Sequence, residues 1–389
     1  MRLTQRIEII ERAASYEVVI AADVLKECGA WASECLGGTG SRVAIVSNEK
    51  VFDLYGSAVE NSLSQAGFRV SHFLIGDGEE FKSLPTAQAA LEYLAVEEIS
   101  RTDAVVALGG GVVGDLAGFA AALHLRGIGL LQIPTTLLAM IDSSVGGKTG
   151  VNTAIGKNLI GAFHQPKGVL IDIATLATLP ERELAAGFCE MIKHGALCGE
   201  DLLRQTDQFL AAFPVSDLSE PINDHLFQAQ ITDLISANIA LKGRIVAGDE
   251  RESARRADGQ SRKILNLGHT LAHALEKVTG YQYFKHGEAV GWGVLFAAEL
   301  SKTLALCDET VVKLLNDVVH RLGPLPTLAG IDEEAVFAAF RFDKKNVSGA
   351  FQMVLLKHIG QPVIVDSTEI PAEAMRTAYH RIQGLEPNS

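Results

Sequence analysis

A chain of 389 residues with 48% hydrophobic residues is long enough for about two domains of roughly 150–200 residues, each with its own core. Its formal net charge of −13, with no long Lys/Arg block, argues against nucleic acid or anionic membrane as a partner. Five scattered cysteines without CxxC spacing read as reduced thiols, and no stretch is a convincing membrane span or secretory leader, so a soluble cytoplasmic protein is expected.

Val43-Ala44-Ile45-Val46 is a short β-branched strand candidate ending at Ser47-Asn48. A helical pattern follows from about Val51 to Gln65, then a strand from Arg69 to Ile75, a turn at Gly76-Asp77-Gly78-Glu79, and a helix begun by Pro85. Ala104 to Leu108 predicts a strand, Val112 to Leu125 a buried helix and Leu130 to Ile133 another strand. This alternation predicts a Rossmann-like parallel α/β sheet, with ligands at the carboxyl ends of its strands. After Asp172 the pattern changes. Thr178-Leu179-Pro180-Glu181 has the composition of a helix start, and the periodicity is almost entirely helical to about Ala298, apart from a charged, exposed loop at Gly248 to Gln260. Further helices are expected at Leu304 to Leu322 and Glu333 to Phe340, with a late hairpin at Phe351 to Leu356 and Val363 to Val365. The expected division is an α/β nucleotide-binding domain over 1–179 and a mainly α-helical domain over 180–389.

The chemistry concentrates between Leu108 and Gly161. Gly109-Gly110-Gly111, Gly146-Gly147-Lys148-Thr149-Gly150 and Gly156-Lys157-Asn158 are three glycine-rich turns edged by polar or basic residues. Glycine allows φ > 0 and close approach of backbone amides to an anion, and the lysines add charge. The stretch therefore points to phosphorylated ligands, a nucleotide and a sugar-like substrate. Gly109-x-Gly111-x-x-Gly114 matches the dinucleotide fingerprint in a strand-to-helix context, but the acidic residue about 20 positions later is missing. An ordinary Rossmann half is thus not expected. Asp142, before Ser143-Ser144, is placed either to accept hydrogen bonds from hydroxyls or to cap a helix.

A second constellation is helical. His269 and His273, at i and i+4, share one helix face and could grip a metal, and His286-Gly287-Glu288 follows after a turn through Gly280 and Tyr281. Glu190, Lys193 and His194 also lie close together on one helix. Spacing alone selects His269 and His273 as the ligand pair.

GGGVVGDLAGF, IPTTLLAMIDSSVGGKTGVN, GKNLIGAFHQP, TLPERE, ILNLGHTLAHALE and HGEAV occur in that order. Together they resemble the 3-dehydroquinate synthase family of the sugar phosphate cyclases, from about Val43 to Gly360. The resemblance implies an N-terminal nucleotide-binding domain, a C-terminal helical domain, an active site between them and a homodimer. It implies conversion of 3-deoxy-D-arabino-heptulosonate 7-phosphate to 3-dehydroquinate and phosphate, through transient oxidation by NAD, phosphate elimination, re-reduction and aldol closure, with a divalent metal such as zinc or cobalt. Carried over by motif, the metal ligands are Glu190, His269 and His286, with His273 facing substrate instead. The NAD residues are Asn48, Glu79, Lys82, Gly110, Gly111, Asp115, Thr135, Thr136, Asp142, Lys148, Lys157, Thr178 and Glu183. Lys193, His273, Lys148, Asn266, Arg262 and Lys242 take catalytic places, Asp142, Asn158 and Lys345 bind substrate, and Arg126 matches an arginine that reaches the phosphate from the neighbouring subunit.

The chain departs from the family pattern after Asp249-Glu250, where RESARRADGQSRK is several residues longer than the usual link. Arg262, Arg256 and Lys263 all compete for the arginine role there. His124-Leu125 stands where the family has Tyr-Met, a packing change. The nearest alternative function is a sibling cyclase acting on sedoheptulose 7-phosphate, which lacks the carboxylate. A more distant one is a metal-dependent polyol dehydrogenase.

Overall fold

The computed structural model describes residues 2–9, 14–38, 40–218, 222, 224–253, 256, 258–340 and 351–385. Two compact units emerge: Met1–Leu179 with Ile222–Ala247, and Pro180–Pro221 with Gly248–Ser389.

The first unit is built on a seven-stranded sheet. In chain order its strands are β1 (Leu3–Ile9), β2 (Ala14–Ala21), β3 (Arg42–Asn48), β4 (Arg69–Ile75), β5 (Ala104–Gly109), β6 (Gly129–Pro134) and, after the separate hairpin of β7 (Lys148–Thr153) and β8 (Gly156–Phe163), β9 (Gly168–Asp172). The spatial order is β1-β2-β9-β6-β5-β3-β4. All pairings are parallel except the β1–β2 edge hairpin. Strand alternation sorts the central side chains to two faces. Ala44, Val46, Val105 and Ala107 pack with Ala87, Ala90 and Leu94 of α4 (Leu84–Val96) and with Leu116, Phe119 and Ala120 of α5 (Gly111–Leu123). Val43, Ile45, Val106 and Leu108 pack with Trp31 and Ala32 of α1 (Cys28–Cys35) and Val59 and Leu63 of α3 (Ser57–Gln65). A short helix, α2 (Glu49–Val51), and a π-turn at Phe52–Gly56 lead into α3.

From β3 the chain moves outward to β4, crosses back to β5, and continues the other way through β6 to β9. That reversal is a topological switch point at the carboxyl ends of β3 and β5, where Asn48 and Gly109–Gly111 lie and where sheets of this kind bind ligands. The hairpin β7–β8 was expected as two glycine turns. It forms an antiparallel ladder pairing Lys148 with Phe163 and Gly150 with Gly161.

The expected single division at Leu179 differs from the observed grouping at one element. The long helix α8 (His225–Gly248) follows α6 (Glu181–Cys198) and α7 (Glu200–Ala212) in the chain, yet Ile222–Ala247 groups with the first unit. A direct tie exists there: Lys242 Nζ donates to Asp142.

The second unit is mainly helical, with α6, α7, α9 (His269–Val278), α10 (His286–Thr303), α11 (Glu309–His320), α12 (Glu333–Phe340), α13 (Ala372–Gln383) and the hairpin β10 (Gln352–His358) and β11 (Gln361–Asp366). Helix α10 is buried continuously from Gly287 to Ser301. Two glycines permit this. A Cβ on Gly287 would meet the Ala186 carbonyl oxygen at 1.9 Å, and one on Gly293 would meet that of Gly268 at 2.0 Å. The first contact brings the start of α10 against α6 one turn before Glu190. The second brings α10 against the residue preceding His269. The charged stretch after Gly248 is not wholly exposed as expected: Asp249 and Glu250 are buried, because they organise the return of the chain to Arg262.

Candidate active site

The glycine contacts of α10 converge three donors from three helices. Glu190 of α6, His269 at the start of α9 and His286 at the start of α10 offer ligand atoms within 4.8 Å of one another. His269 Nε2 lies 3.9 Å and His286 Nε2 3.6 Å from Glu190 Oε1. Ligands about 2.1 Å from a tetrahedral cation stand about 3.4 Å apart, so this trio needs only slight contraction.

The protonation pattern suits a cation. His269 Nδ1 is 3.2 Å from the Leu267 carbonyl oxygen, and His286 Nδ1 is 3.2 Å from Glu276 Oε2. Both partners accept, so both Nδ1 atoms carry the proton and both Nε2 atoms present lone pairs. Burial, reinforced by Lys193, His286 and His273, holds His269 well below the usual imidazole range, which keeps it neutral. Glu190 is fully buried and neither carboxylate oxygen meets hydrogen-bond geometry, although Lys193 Nζ stands 2.5 Å from Oε2. Burying a carboxylate costs several kcal/mol unless positive charge compensates. Lys193 supplies part of that charge, and a divalent cation held by Glu190, His269 and His286 would supply the rest, so these residues fit a metal.

His273 is outside the trio. It follows His269 by one turn, with ring centroids 5.4 Å apart, but its side chain is exposed. The pair chosen by spacing alone is therefore not the cluster that forms. Nearby in the same unit, Arg262 is almost fully buried, its backbone N–H donating to Asp249 Oδ2 and its Nη1 to the Glu250 carbonyl. Arg256 is engaged inside the long loop, on Asp258, the Gly248 carbonyl and Gln260. Lys263 Nζ donates to Gln352. Of the three competing basic residues, Arg262 is the most buried, at 2% exposure against 8% for Lys263, while Asn266 Nδ2 donates to the Lys263 carbonyl and, at 3.4 Å, to Glu252. Glu183, also in this unit, pairs with Lys285 at 2.6 Å. Lys345 lies outside the described residues.

In the first unit, α5 starts at Gly111 with Gly110 at its N-cap and no side-chain cap, so its first amides can face an anion. Gly110 has φ −78°, and none of Gly109–Gly111 has positive φ; of the other two turns, Gly146 and Gly147 take it at φ 96° and 65°, and in the third it falls on Asn158, at φ 51°. Thr135 and Thr136 follow β6, with Thr135 N–H donating to the Gly109 carbonyl and Thr136 Oγ1 accepting from Ala139. Asn48 caps α2 and donates to Asp77. Lys82 Nζ is 2.5 Å from Asp115 Oδ2, and burial pushes the Asp115 carboxyl up despite that lysine. Asn152 bridges two further residues: its Nδ2 donates to Glu79 Oε1 and its Oδ1 accepts from Asn158 N–H. Lys157 stands 3.6 Å from Glu79. Thr178 Oγ1 meets the Tyr55 hydroxyl.

Asp142 is not a helix cap. It lies inside a π-turn, Ala139–Ser143, and its Oδ1 accepts from Lys242 Nζ at 2.6 Å. Lys148 is exposed at the start of β7. Arg126 is exposed in a tight turn where Leu125 and Arg126 take φ 50° and 70°. His124, in the variant His124-Leu125 pair, is buried and donates to the Ile99 carbonyl. Sequence reasoning missed Asn152 and Glu276, and named Asp249 only as a landmark beside the long loop. Only Glu276 left a signal, lying three residues after His273 and seven after His269 on the same helix face.

Residues 72–186 match the 3-dehydroquinate synthase N-terminal family and residues 187–346 the 3-dehydroquinate synthase C-terminal family. The 3-dehydroquinate synthase of Synechococcus sp. is 40% identical over 370 residues, covering 95% of this chain and 96% of that protein. The chain belongs to the 3-dehydroquinate synthase family. Family membership is supported again by the Azotobacter vinelandii 3-dehydroquinate synthase, 41% identical over 376 residues, covering 96% of this chain and 95% of that protein. Among solved structures, the 2-epi-5-epi-valiolone synthase ValA from Streptomyces hygroscopicus subsp. jinggangensis 5008, with NAD+ and Zn2+ bound, matches at TM-score 0.82 and 26% identity, covering 95% of this chain and 97% of that one. The dehydroquinate synthase-like architecture is therefore common to this chain and a related cyclase.

Proposed function

We propose that this chain is a 3-dehydroquinate synthase, a carbon–oxygen lyase that converts 3-deoxy-D-arabino-heptulosonate 7-phosphate to 3-dehydroquinate and phosphate. The supporting observation is the convergence of Glu190, His269 and His286 in a chain about 40% identical, over nearly its whole length, to proteins of that name.

A divalent cation, zinc or cobalt, held by these three side chains would act as a Lewis acid toward substrate hydroxyls. Residues of the first unit at the carboxyl ends of β3 and β5 would hold NAD, whose chemistry is to accept a hydride and later return it; loss of that hydride would leave a ketone that acidifies the neighbouring C–H until phosphate has left. The α5 amides at Gly110 and Gly111 would meet its pyrophosphate, while Asn48, Glu79, Lys82, Asp115, Thr135, Thr136, Lys157, Thr178 and Glu183 are further candidates for holding it. Asp142 would accept a hydroxyl hydrogen bond, with Lys242 holding its carboxylate in place. Lys148, Asn158, Lys193, Arg262, Asn266, His273 and Lys345 would bind the substrate's phosphate, carboxylate and hydroxyls and stabilise negative charge as it develops. Holding one substrate through several small steps makes positioning a large part of the catalysis. A homodimer, with Arg126 reaching a partner's phosphate, and a cytoplasmic location complete the proposal. Among the described residues, no helix is long and apolar enough to cross a membrane.

The test is phosphate release from the seven-carbon keto acid phosphate by purified protein, with and without a chelator. Activity lost on chelation and restored by zinc or cobalt supports the reading. Equal or better turnover of sedoheptulose 7-phosphate would move the assignment to the sibling cyclases.

A further inference from the structure

Among the described residues outside the ligand trio, the buried acid Glu276 touches it. Glu276, on α9, is 1% exposed, and its Oε2 lies 3.2 Å from His286 Nδ1. The opposite nitrogen of that ring, Nε2, faces Glu190 Oε1 at 3.6 Å. The ring is thus aligned between two carboxylates, one on each nitrogen. His269 differs: its Nδ1 meets a neutral backbone carbonyl, that of Leu267.

We infer that Glu276 is a positioning residue for His286, fixing its tautomer and ring orientation and raising the electron-donating power of Nε2. The inference rests on the proposed metal site but assigns a residue beyond its ligands. A carboxylate accepting from Nδ1–H can only pair with the tautomer whose lone pair is on Nε2. Such outer carboxylates make imidazole a stronger donor, and removing them typically weakens metal binding about 10–100-fold. The burial of Glu276 fits such a role. Ionised carboxylates are rarely buried without partners, because desolvation costs several kcal/mol. Helix spacing also places Glu276 on the His269 and His273 face, so α9 supplies both a ligand and the group that orients a second ligand from α10.

The experiment measures zinc affinity of the full chain by chelator competition, and the visible absorption of the cobalt-loaded protein, for wild type, Glu276→Gln, Glu276→Ala and His286→Ala. Unfolding of the metal-free proteins is followed in parallel. The expected result is affinity about 10–100-fold weaker in Glu276→Ala, a smaller loss in Glu276→Gln, whose amide oxygen still accepts from Nδ1–H, and a shifted cobalt spectrum in both. The metal-free Glu276→Gln protein should unfold like wild type. Wild-type affinity and spectrum in both Glu276 variants, with weakened binding in His286→Ala, would overturn this inference while leaving the metal site intact. Unchanged zinc binding in His286→Ala would overturn the metal site as well. Should Glu276→Ala fail to fold, the Gln variant decides: wild-type affinity and spectrum there contradict the inference.

Discussion

Lys242 Nζ donates to the Asp142 carboxylate at 2.6 Å and to the Asp142 backbone carbonyl at 2.5 Å, joining a helix late in the chain to the turn after β6. The lysine is 6% exposed and the carboxylate about one quarter exposed. Removing one partner of such a pair leaves a poorly solvated charge. Lys242→Met should destabilise the protein by about 2–3 kcal/mol, slightly below the range for fully buried pairs because Asp142 retains some solvent. Adding Asp142→Asn should recover most of that stability in urea unfolding, yet leave phosphate release low. Recovery of both together would remove the pair from the catalytic account.

The long charged loop yields a second comparison. Arg256 is engaged within its own loop, whereas Arg262 is 2% exposed and donates to the Glu250 carbonyl. Arg262→Ala should lower kcat/KM about 100-fold or more, the scale for losing a charge-stabilising donor. Arg256→Ala should stay within about tenfold, since its loss loosens the loop without removing a ligand contact. The reverse ranking in steady-state assays would assign the role to Arg256.

Backbone strain separates two neighbouring glycines. Gly147 has φ 65° and its Cβ position is 2.6 Å from Gln165 Cδ, while Gly156 has ordinary φ and first meets Leu159 Cδ1 at 3.3 Å. Gly147→Ala should cost about 1–2 kcal/mol from the left-handed conformation alone. Its melting temperature should fall by several degrees, and that of Gly156→Ala by far less. Equal melting temperatures would contradict the assigned turn geometry.

Acid sensitivity of the metal-free protein follows from His269. Its folded pKa lies well below the ordinary value of about 6.5, chiefly through burial. Below pH of about 6.5 the unfolded chain takes up a proton that the folded chain refuses, so stability falls as pH falls, by up to about 1.4 kcal/mol per pH unit. Urea midpoints between pH 7.5 and 5.5 should show this decline, and His269→Gln should flatten it. An unchanged slope in the variant would locate the sensitivity elsewhere.

Much of this molecule was legible in its residues, for reasons that also explain what was not. Val43–Val46 and Ala104–Leu108 announce central strands because both faces are buried and both must be apolar. The β7–β8 hairpin hides behind glycine and polar residues that resemble loops, although their backbones pair in a ladder. Periodicity identified α8 as a helix but carried no information on which unit it joins. Spacing found the His269 and His273 pair because both lie on one helix. It could not find the convergence of Glu190 and His286, since those approaches depend on Gly287 and Gly293 lying against distant backbone. Motif resemblance reached them because it carries three-dimensional information that local pattern lacks.

The most direct test is a paired substrate assay on metal-stripped protein. Phosphate release is measured from 3-deoxy-D-arabino-heptulosonate 7-phosphate and from sedoheptulose 7-phosphate, each with NAD, before and after adding zinc or cobalt. The account predicts release from the keto acid phosphate only after metal is restored, little from the sugar phosphate that lacks a carboxylate, and none from Glu190→Ala under either condition. Metal-independent release, or preference for sedoheptulose 7-phosphate, would contradict it.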